Sequence, residues 1–198
     1  MQLPKVEMSI FETILARRSV RSYLAKMVDK DTVSALLEAA VRAPTAIHQE
    51  PWAFVIIQDR EVLHDLSDRA KPIFIAEARQ SNAILTDDTL DVFDNPDFNI
   101  FYDANTLILI CGNTTTPFVS ADCWLAAENL ILAACAMGLG TCIISSALSA
   151  LNTSEVKVHL HIPNEFSVIV PIIVGYPNDE IAPTVRKNPV VFANIAAP

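Results

Sequence analysis

Apolar positions along the chain follow two distinct periods. Between residues 30 and 42, Val33, Leu36, Leu37, Ala40 and Val41 recur at i, i+3, i+4, i+7 and i+8, which gathers them on one face of a helix. Asp29 or Asp31 stands where an N-cap is needed, and Pro44 stands where such a helix must stop. Residues 9 to 17 carry a similar pattern, and helical patterns resume near 60 to 70, 72 to 83 and 153 to 160. Short apolar runs rich in β-branched residues read as strands: Ala53 to Gln58, Thr106 to Gly112, Thr141 to Ser145 and Ser167 to Gly175. The run Val168-Ile169-Val170-Pro171-Ile172-Ile173-Val174 hardly alternates, which predicts burial on both faces of its sheet. Pro171 inside it belongs at an edge or a bulge, since proline donates nothing to a ladder. Residues 85 to 103, rich in Asp, Asn and Phe, show no clear period and predict a loop or lid with a short helical turn.

The stretch from Val119 to Met137 approaches the length that spans a bilayer. Asp122 near its start and Glu128-Asn129 in its middle make it a buried central helix instead, because a charge at a bilayer centre costs about 2.5–3.5 kcal/mol. With no repeat and no Ser/Gly-rich linker, the pattern predicts one domain over residues 1 to 198, of mixed helices and strands around a central sheet.

Composition narrows the function. A formal charge of -9 repels nucleic acid and anionic membrane surfaces. Only 4 glycines are present against 12 prolines, so neither G-x-G-x-x-G nor G-x-x-x-x-G-K-[ST] can be built, and glycine-backbone phosphate loops are excluded. Cys111, Cys123, Cys135 and Cys142 lie in apolar segments without a C-x-x-C pair and read as reduced core thiols. His48, His64, His159 and His161 form no H-E-x-x-H, so no metal site is expected. The first residues lack a basic stretch followed by an apolar run, and a cytoplasmic location is the expectation.

Four segments stand out as candidate chemistry. Arg17-Arg18-Ser19-Val20-Arg21 places three of the chain's 14 basic residues in five positions. Cations that complement a helix C-terminus explain the cluster as well as an anion site does. The segment Ala43-Pro44-Thr45-Ala46-Ile47-His48-Gln49-Glu50-Pro51-Trp52 makes a stiff turn whose backbone can approach a flat ligand. In Ala136-Met137-Gly138-Leu139-Gly140-Thr141-Cys142-Ile143-Ile144-Ser145-Ser146 a helix ends at Gly138 and turns into a strand. The last segment is Pro171-Ile172-Ile173-Val174-Gly175-Tyr176-Pro177, followed by Thr184-Val185-Arg186-Lys187.

Taken in order, these elements resemble the FMN-dependent nitroreductase family, whose members show R-R-S-x-R, A-P-S-A-x-N-x-Q-P-W, G-L-G-T-C and a late strand that runs from a proline into G-Y-P, followed by a basic pair. The resemblance runs from Arg17 to Lys187. It implies an α+β fold with a central mixed or antiparallel sheet flanked by helices, and a domain-exchanged homodimer with FMN at the interface. It also implies NAD(P)H as donor and ping-pong transfer through flavin N5 to nitroaromatics, quinones or similar electron-poor acceptors, with no catalytic side chain of the protein's own.

The resemblance carries over residue by residue. Arg17 matches the arginine that grips the FMN phosphate, with Arg18 and Ser19 beside the phosphate and ribityl chain. Arg21 matches the basic residue at the pyrimidine edge, where a cation favours the reduced flavin. Pro44, Thr45, Ala46 and His48 match a turn that packs on the flavin from the partner subunit. Ile144, Ser145 and Ser146 match backbone N–H donors facing flavin N5 and O4, while Arg186 and Lys187 match the phosphate-binding basic pair. Departures accompany the match: His48 replaces the usual Asn and Glu50 the usual Gln, and Thr184 stands where some members are basic. Ser145-Ser146 replaces a frequent Gly-Gly and is strained if that turn needs positive φ. A relative with different flavin chemistry, such as dehalogenation or flavin breakdown, a flavin-binding sensor or storage protein, and a purely structural domain are the alternatives.

Overall fold

In the computed structural model the described residues are 6–80, 87–115, 117–179, 182 and 184–195. The first helix, α1 (Ile10–Ala16), opens with a capping box: the Ser9 hydroxyl accepts from the Glu12 N–H, and the Glu12 carboxylate accepts from the Ser9 N–H at 2.7 Å. The cap of α2 (Lys30–Ala40) is Asp29 rather than Asp31; its carboxylate accepts from the Thr32 N–H and hydroxyl, each at 2.8 Å. Those two bonds hold the Asp29 carboxyl below its ordinary range. A lowered folded-state value means the cap contributes fully above the unfolded value near 4. Its contribution is lost as pH falls through the lower folded value. Asp29→Ala therefore lowers Tm at neutral pH, and its deficit against wild type shrinks in acid. Asp29→Asn keeps the cap and loses the pH dependence, which thermal melts between pH 2 and 7 will show.

Four strands, β1 (Trp52–Ile57), β2 (Thr106–Asn113), β3 (Gly140–Ile143) and β4 (Phe166–Gly175), form one sheet in the order β1-β2-β4-β3, antiparallel at every pairing. The two inner strands are the two longest apolar runs, and both of their faces are covered. Leu107, Leu109 and Cys111 of β2 pack into one layer, while Ile108 and Ile110 pack into the other, beneath α2 and α5 (Val119–Ala136). On β4 the alternation breaks, because Val168 joins the first layer while Ile169 and Val170 both join the second. The cause is a bulge opposite the Ile110/Cys111 step, which adds one residue to β4.

Pro171 sits next to that bulge in a central strand, opposite Leu109. Its carbonyl accepts from the Ile144 N–H at 2.9 Å, so its own nitrogen faces the same side, just past the last β3 pair, Ile143 with Ile172. The missing donor thus falls where β3 has already left the ladder, and no bond to β2 is sacrificed.

Other elements depart from the sequence expectation. The patterns at 60–70 and 72–83 merge into one helix, α3 (Arg60–Gln80), with Pro72 inside it. Burial of Leu63, Leu66 and Ala70 before the proline and Ile75 after it keeps both halves on the core, which offsets the lost backbone bond. Residues 81–83 of that pattern lie outside the described residues. The short turn expected within 85–103 is a two-turn helix, α4 (Asp87–Asp94). The strand expected through Ser145 stops at Ile143 and passes into a 3-10 turn, Ser145–Ala147, continued by the short α6 (Leu148–Leu151) and then α7 (Ser154–His159). Helix α5 meets the length and composition of a membrane span, and it lies against the sheet with Ala126, Ala127, Leu130 and Ala134 fully buried. All four cysteines are free thiols; burial pushes Cys111 and Cys123 up to about 12, so both stay protonated at neutral pH.

Candidate functional site

Three of the four motif segments meet at the open edge of β3. After α1 the chain runs alongside that strand: Ser19 bridges to Thr141 in the parallel sense, and the Val20 N–H donates to the Thr141 carbonyl at 2.9 Å. The same segment then crosses the end of β4, where Leu24 donates to the Tyr176 carbonyl and Asn178 donates to the Ser22 carbonyl. The Ser22 hydroxyl donates to Asp179 at 2.8 Å. Two glycines permit this. Gly138 adopts φ +76° where the chain turns out of α5. A Cβ on Gly140 would lie 2.5–2.8 Å from three carbons of Val20, so only glycine lets the segment lie against the strand.

Arg17, Arg18, Cys135, Leu139, Thr141 and Asp179 line a cleft of about 200 Å³ at this junction. Arg17 is half-buried there, and Arg17, Arg18 and Arg21 form no ion pair among the described residues, in a chain of net charge -9. Their field reaches the thiols beside them. Burial pushes Cys135 up while Arg17 and Arg18 pull it down, and burial pushes Cys142 up while Arg21 pulls it down.

The motif residues differ in how free they are. The Arg18 guanidinium turns to main-chain carbonyls, donating to Leu15 at 2.6 Å, Arg17 at 2.8 Å and Ala182 at 3.4 Å. Arg21 lies over the Tyr102 ring, 5.8 Å from its centroid. The Ile144 N–H is already taken by the Pro171 carbonyl, whereas the N–H groups of Ser145 and Ser146 open the 3-10 turn and have no acceptor within it. Neither serine has positive φ, so the strain expected if that turn required it is absent.

The turn at Pro44, Thr45, Ala46 and His48 is elsewhere. The Ala46 N–H donates at 3.1 Å to Asp122, a buried carboxylate in the first turn of α5. The arginine cleft adjoins Cys135 in the last turn of that helix, thirteen residues or about 20 Å away along its axis. Strain collects in this turn, where Ile47, His48 and Glu50 have φ of 47°, 54° and 45°. His48 and Glu50 are both exposed and share no hydrogen bond. Arg186 and Lys187 lie in an exposed stretch without regular secondary structure and make no hydrogen bond or ion pair among the described residues.

Sequence reasoning missed Asp122 as the anchor of the strained turn, Asp179 in the cleft and Tyr102 beneath Arg21. Asp122 was legible only as a charge inside an apolar helix, and the other two lay in segments without a motif. Among the described residues no three His, Cys, Asp or Glu side chains come together to hold a metal ion.

The chain is similar to known proteins along most of its length. It is 26% identical over 172 residues, 84% of each chain, to an Archaeoglobus fulgidus protein provisionally named NADH dehydrogenase/NAD(P)H nitroreductase. It is 24% identical over 185 residues to the iodotyrosine deiodinase of Thermotoga neapolitana, covering 92% of this chain and 95% of that one. The crystal structure of a Bacteroides fragilis nitroreductase with bound FMN superposes with a TM-score of 0.79 at 27% identity, over 96% of this chain and all of the other. A family model described as Nitroreductase family matches residues 14–176, a span that includes the antiparallel sheet and the arginine-lined edge of β3, and the chain belongs to that family.

Proposed function

We propose that this chain is an FMN-dependent oxidoreductase that works in the cytoplasm as a homodimer, with NAD(P)H as donor and an electron-poor small molecule as acceptor. One observation carries the reading: among the described residues three motif arginines stand without an acidic partner at the junction of three motif segments, in a protein with 23 acidic residues. Half-buried Arg17 suits a phosphate, since a guanidinium offers two parallel donors to it. Ser19 lies beside it at the strand edge, and the N–H groups of Ser145 and Ser146 suit the polar edge of a planar ring. Arg21 would hold negative charge at the far side of that ring. Bound FMN would supply two-electron chemistry between NAD(P)H and a nitroaromatic, quinone or similar acceptor, in ping-pong order.

The homodimer is supported by what one chain leaves incomplete. Its cleft is below the roughly 300–1,000 Å³ of a small-molecule site. The Pro44–His48 turn sits about 20 Å away, at the wrong end of α5. Phe11 and Leu15 on α1 are 76% and 73% exposed, an apolar surface that a second copy would bury while bringing its own Pro44–His48 turn to the cleft. Purified protein is expected to be yellow and to release FMN on denaturation. Colourless protein that takes up no added FMN would overturn the reading.

The match to the Thermotoga neapolitana deiodinase favours reductive dehalogenation as the second reading. Product analysis with a halogenated phenol and with a nitroaromatic, each under anaerobic reducing conditions, separates the two. Slow NAD(P)H oxidation with every acceptor despite full FMN occupancy would mark a sensor or storage protein.

A further inference from the structure

We infer that Tyr102 positions Arg21, so that the cation is held ready for the ring end of the flavin before any ligand arrives; this rests on the FMN reading above. The observation behind it is a strained turn built around an aromatic residue. Tyr102 and Asp103 both have left-handed backbone, with φ of 51° and 53°, a conformation that residues with a Cβ adopt at a cost. Such strain persists only where the surroundings over-determine it, and it collects at sites with a function.

The surroundings here do over-determine it. The Tyr102 N–H donates to the Asn99 carbonyl at 2.8 Å, and the Phe101 N–H donates to the Asn99 side chain at 2.9 Å. The Ile100 N–H donates to the hydroxyl of buried Ser67 on α3. Lys71, also on α3 and only 8% exposed, donates to the carbonyls of Phe98 at 3.1 Å and Pro96 at 3.3 Å. A row of rings completes the platform: Phe74 lies 4.5 Å from Phe93, Phe93 lies 5.3 Å from Phe98, and Phe98 meets Tyr102 edge-on at 5.6 Å.

What the platform presents is the Tyr102 ring, with the Arg21 guanidinium 5.8 Å from its centroid. Arg21 is exposed and has no carboxylate partner among the described residues. An arginine so placed, which besides the ring meets the Cys142 sulfur in a hydrogen bond, loses side-chain entropy when a ligand fixes it, and a cation–π contact made in advance removes part of that loss. A carboxylate in the same place would hold Arg21 more firmly but neutralise the charge needed at the flavin. An aromatic ring holds it without cancelling its charge.

The test uses the full chain freed of flavin and titrated with FMN, following quenching of flavin fluorescence, and the reduction potential of the reconstituted protein. Tyr102→Leu is expected to weaken FMN binding about two- to fivefold, the worth of an exposed cation–π contact, and to lower the potential. Tyr102→Phe keeps the ring and is expected to stay near wild type in both. In an Arg21→Ala background Tyr102→Leu is expected to add nothing. Equal losses with and without Arg21 would show a structural role and overturn the inference. An effect of Arg21→Ala without one from Tyr102→Leu would overturn it too. If Tyr102→Leu does not fold, the wild-type NMR spectrum decides: ring-current shifts of the Arg21 side chain support the contact, and random-coil positions overturn it. Wild-type protein that binds no FMN would instead defeat the underlying functional reading.

Discussion

Arg17→Ala is expected to weaken FMN binding about 10- to 100-fold, because a charge-assisted hydrogen bond contributes roughly 1.5–3 kcal/mol. Arg17 is the member of the motif most open to a ligand. Arg18 already donates to three main-chain carbonyls, and Arg21 rests on the Tyr102 ring. Arg17 contributes to the fold through its N–H, which caps α1 by donating to the Thr13 carbonyl at 2.9 Å, and alanine retains that bond. The thermal melt of the flavin-free variant should therefore match wild type while its affinity falls. Arg17→Lys should recover part of the loss, since lysine restores the charge without the planar pair of donors. Fluorescence titration measures all three proteins. If Arg17→Ala and Arg186→Ala both leave FMN content unchanged, the phosphate is held elsewhere.

The second large effect is expected from Gly140→Ala. The new methyl group would stand 2.5, 2.7 and 2.8 Å from the Cγ2, Cβ and Cγ1 atoms of Val20, distances that packed carbons do not reach. Val20 is itself buried and cannot swing into solvent without cost. Segment 19–23 must then shift away from β3, at about 1–3 kcal/mol for an overpacked site. At this chain length that lowers Tm by about 2–4 °C for each kcal/mol. The Ser19–Thr141 bridge holds Arg17 and Arg21 on either side of the strand edge, so FMN affinity should fall together with Tm. Val20→Ala removes two of the three contacts, and the double variant should regain part of both losses. A Gly140→Ala protein with wild-type Tm and affinity would show that the segment does not lie against the strand.

How much of this was readable beforehand depended on how local the signal is. The helix over 30–42 and the strands at 53–58, 106–112 and 167–175 were legible because neighbouring side chains alone produce their periods. The two separate patterns at 60–70 and 72–83 are one helix, because burial of the residues on both sides of Pro72 carries α3 through that proline. Asp29 and Asp31 were equivalent in the sequence, and the bonds to Thr32 separate them. Pro171 was recognised as a problem, but its solution lies in where the paired residues of β3 run out.

From its residues alone this chain prescribes most of its elements, excludes glycine-backbone phosphate loops, and concentrates cations at positions 17 to 21. These are matters of composition and of spacing within a turn or a strand, encoded in residues a few positions apart. Tertiary structure alone decides which arginines line the cleft, which N–H groups remain free and which ring lies beneath Arg21. It also carries the Pro44–His48 turn to the far end of α5. Such outcomes join residues as distant as Ser19 and Thr141, and they depend on which backbone groups the sheet and its bulge have already paired.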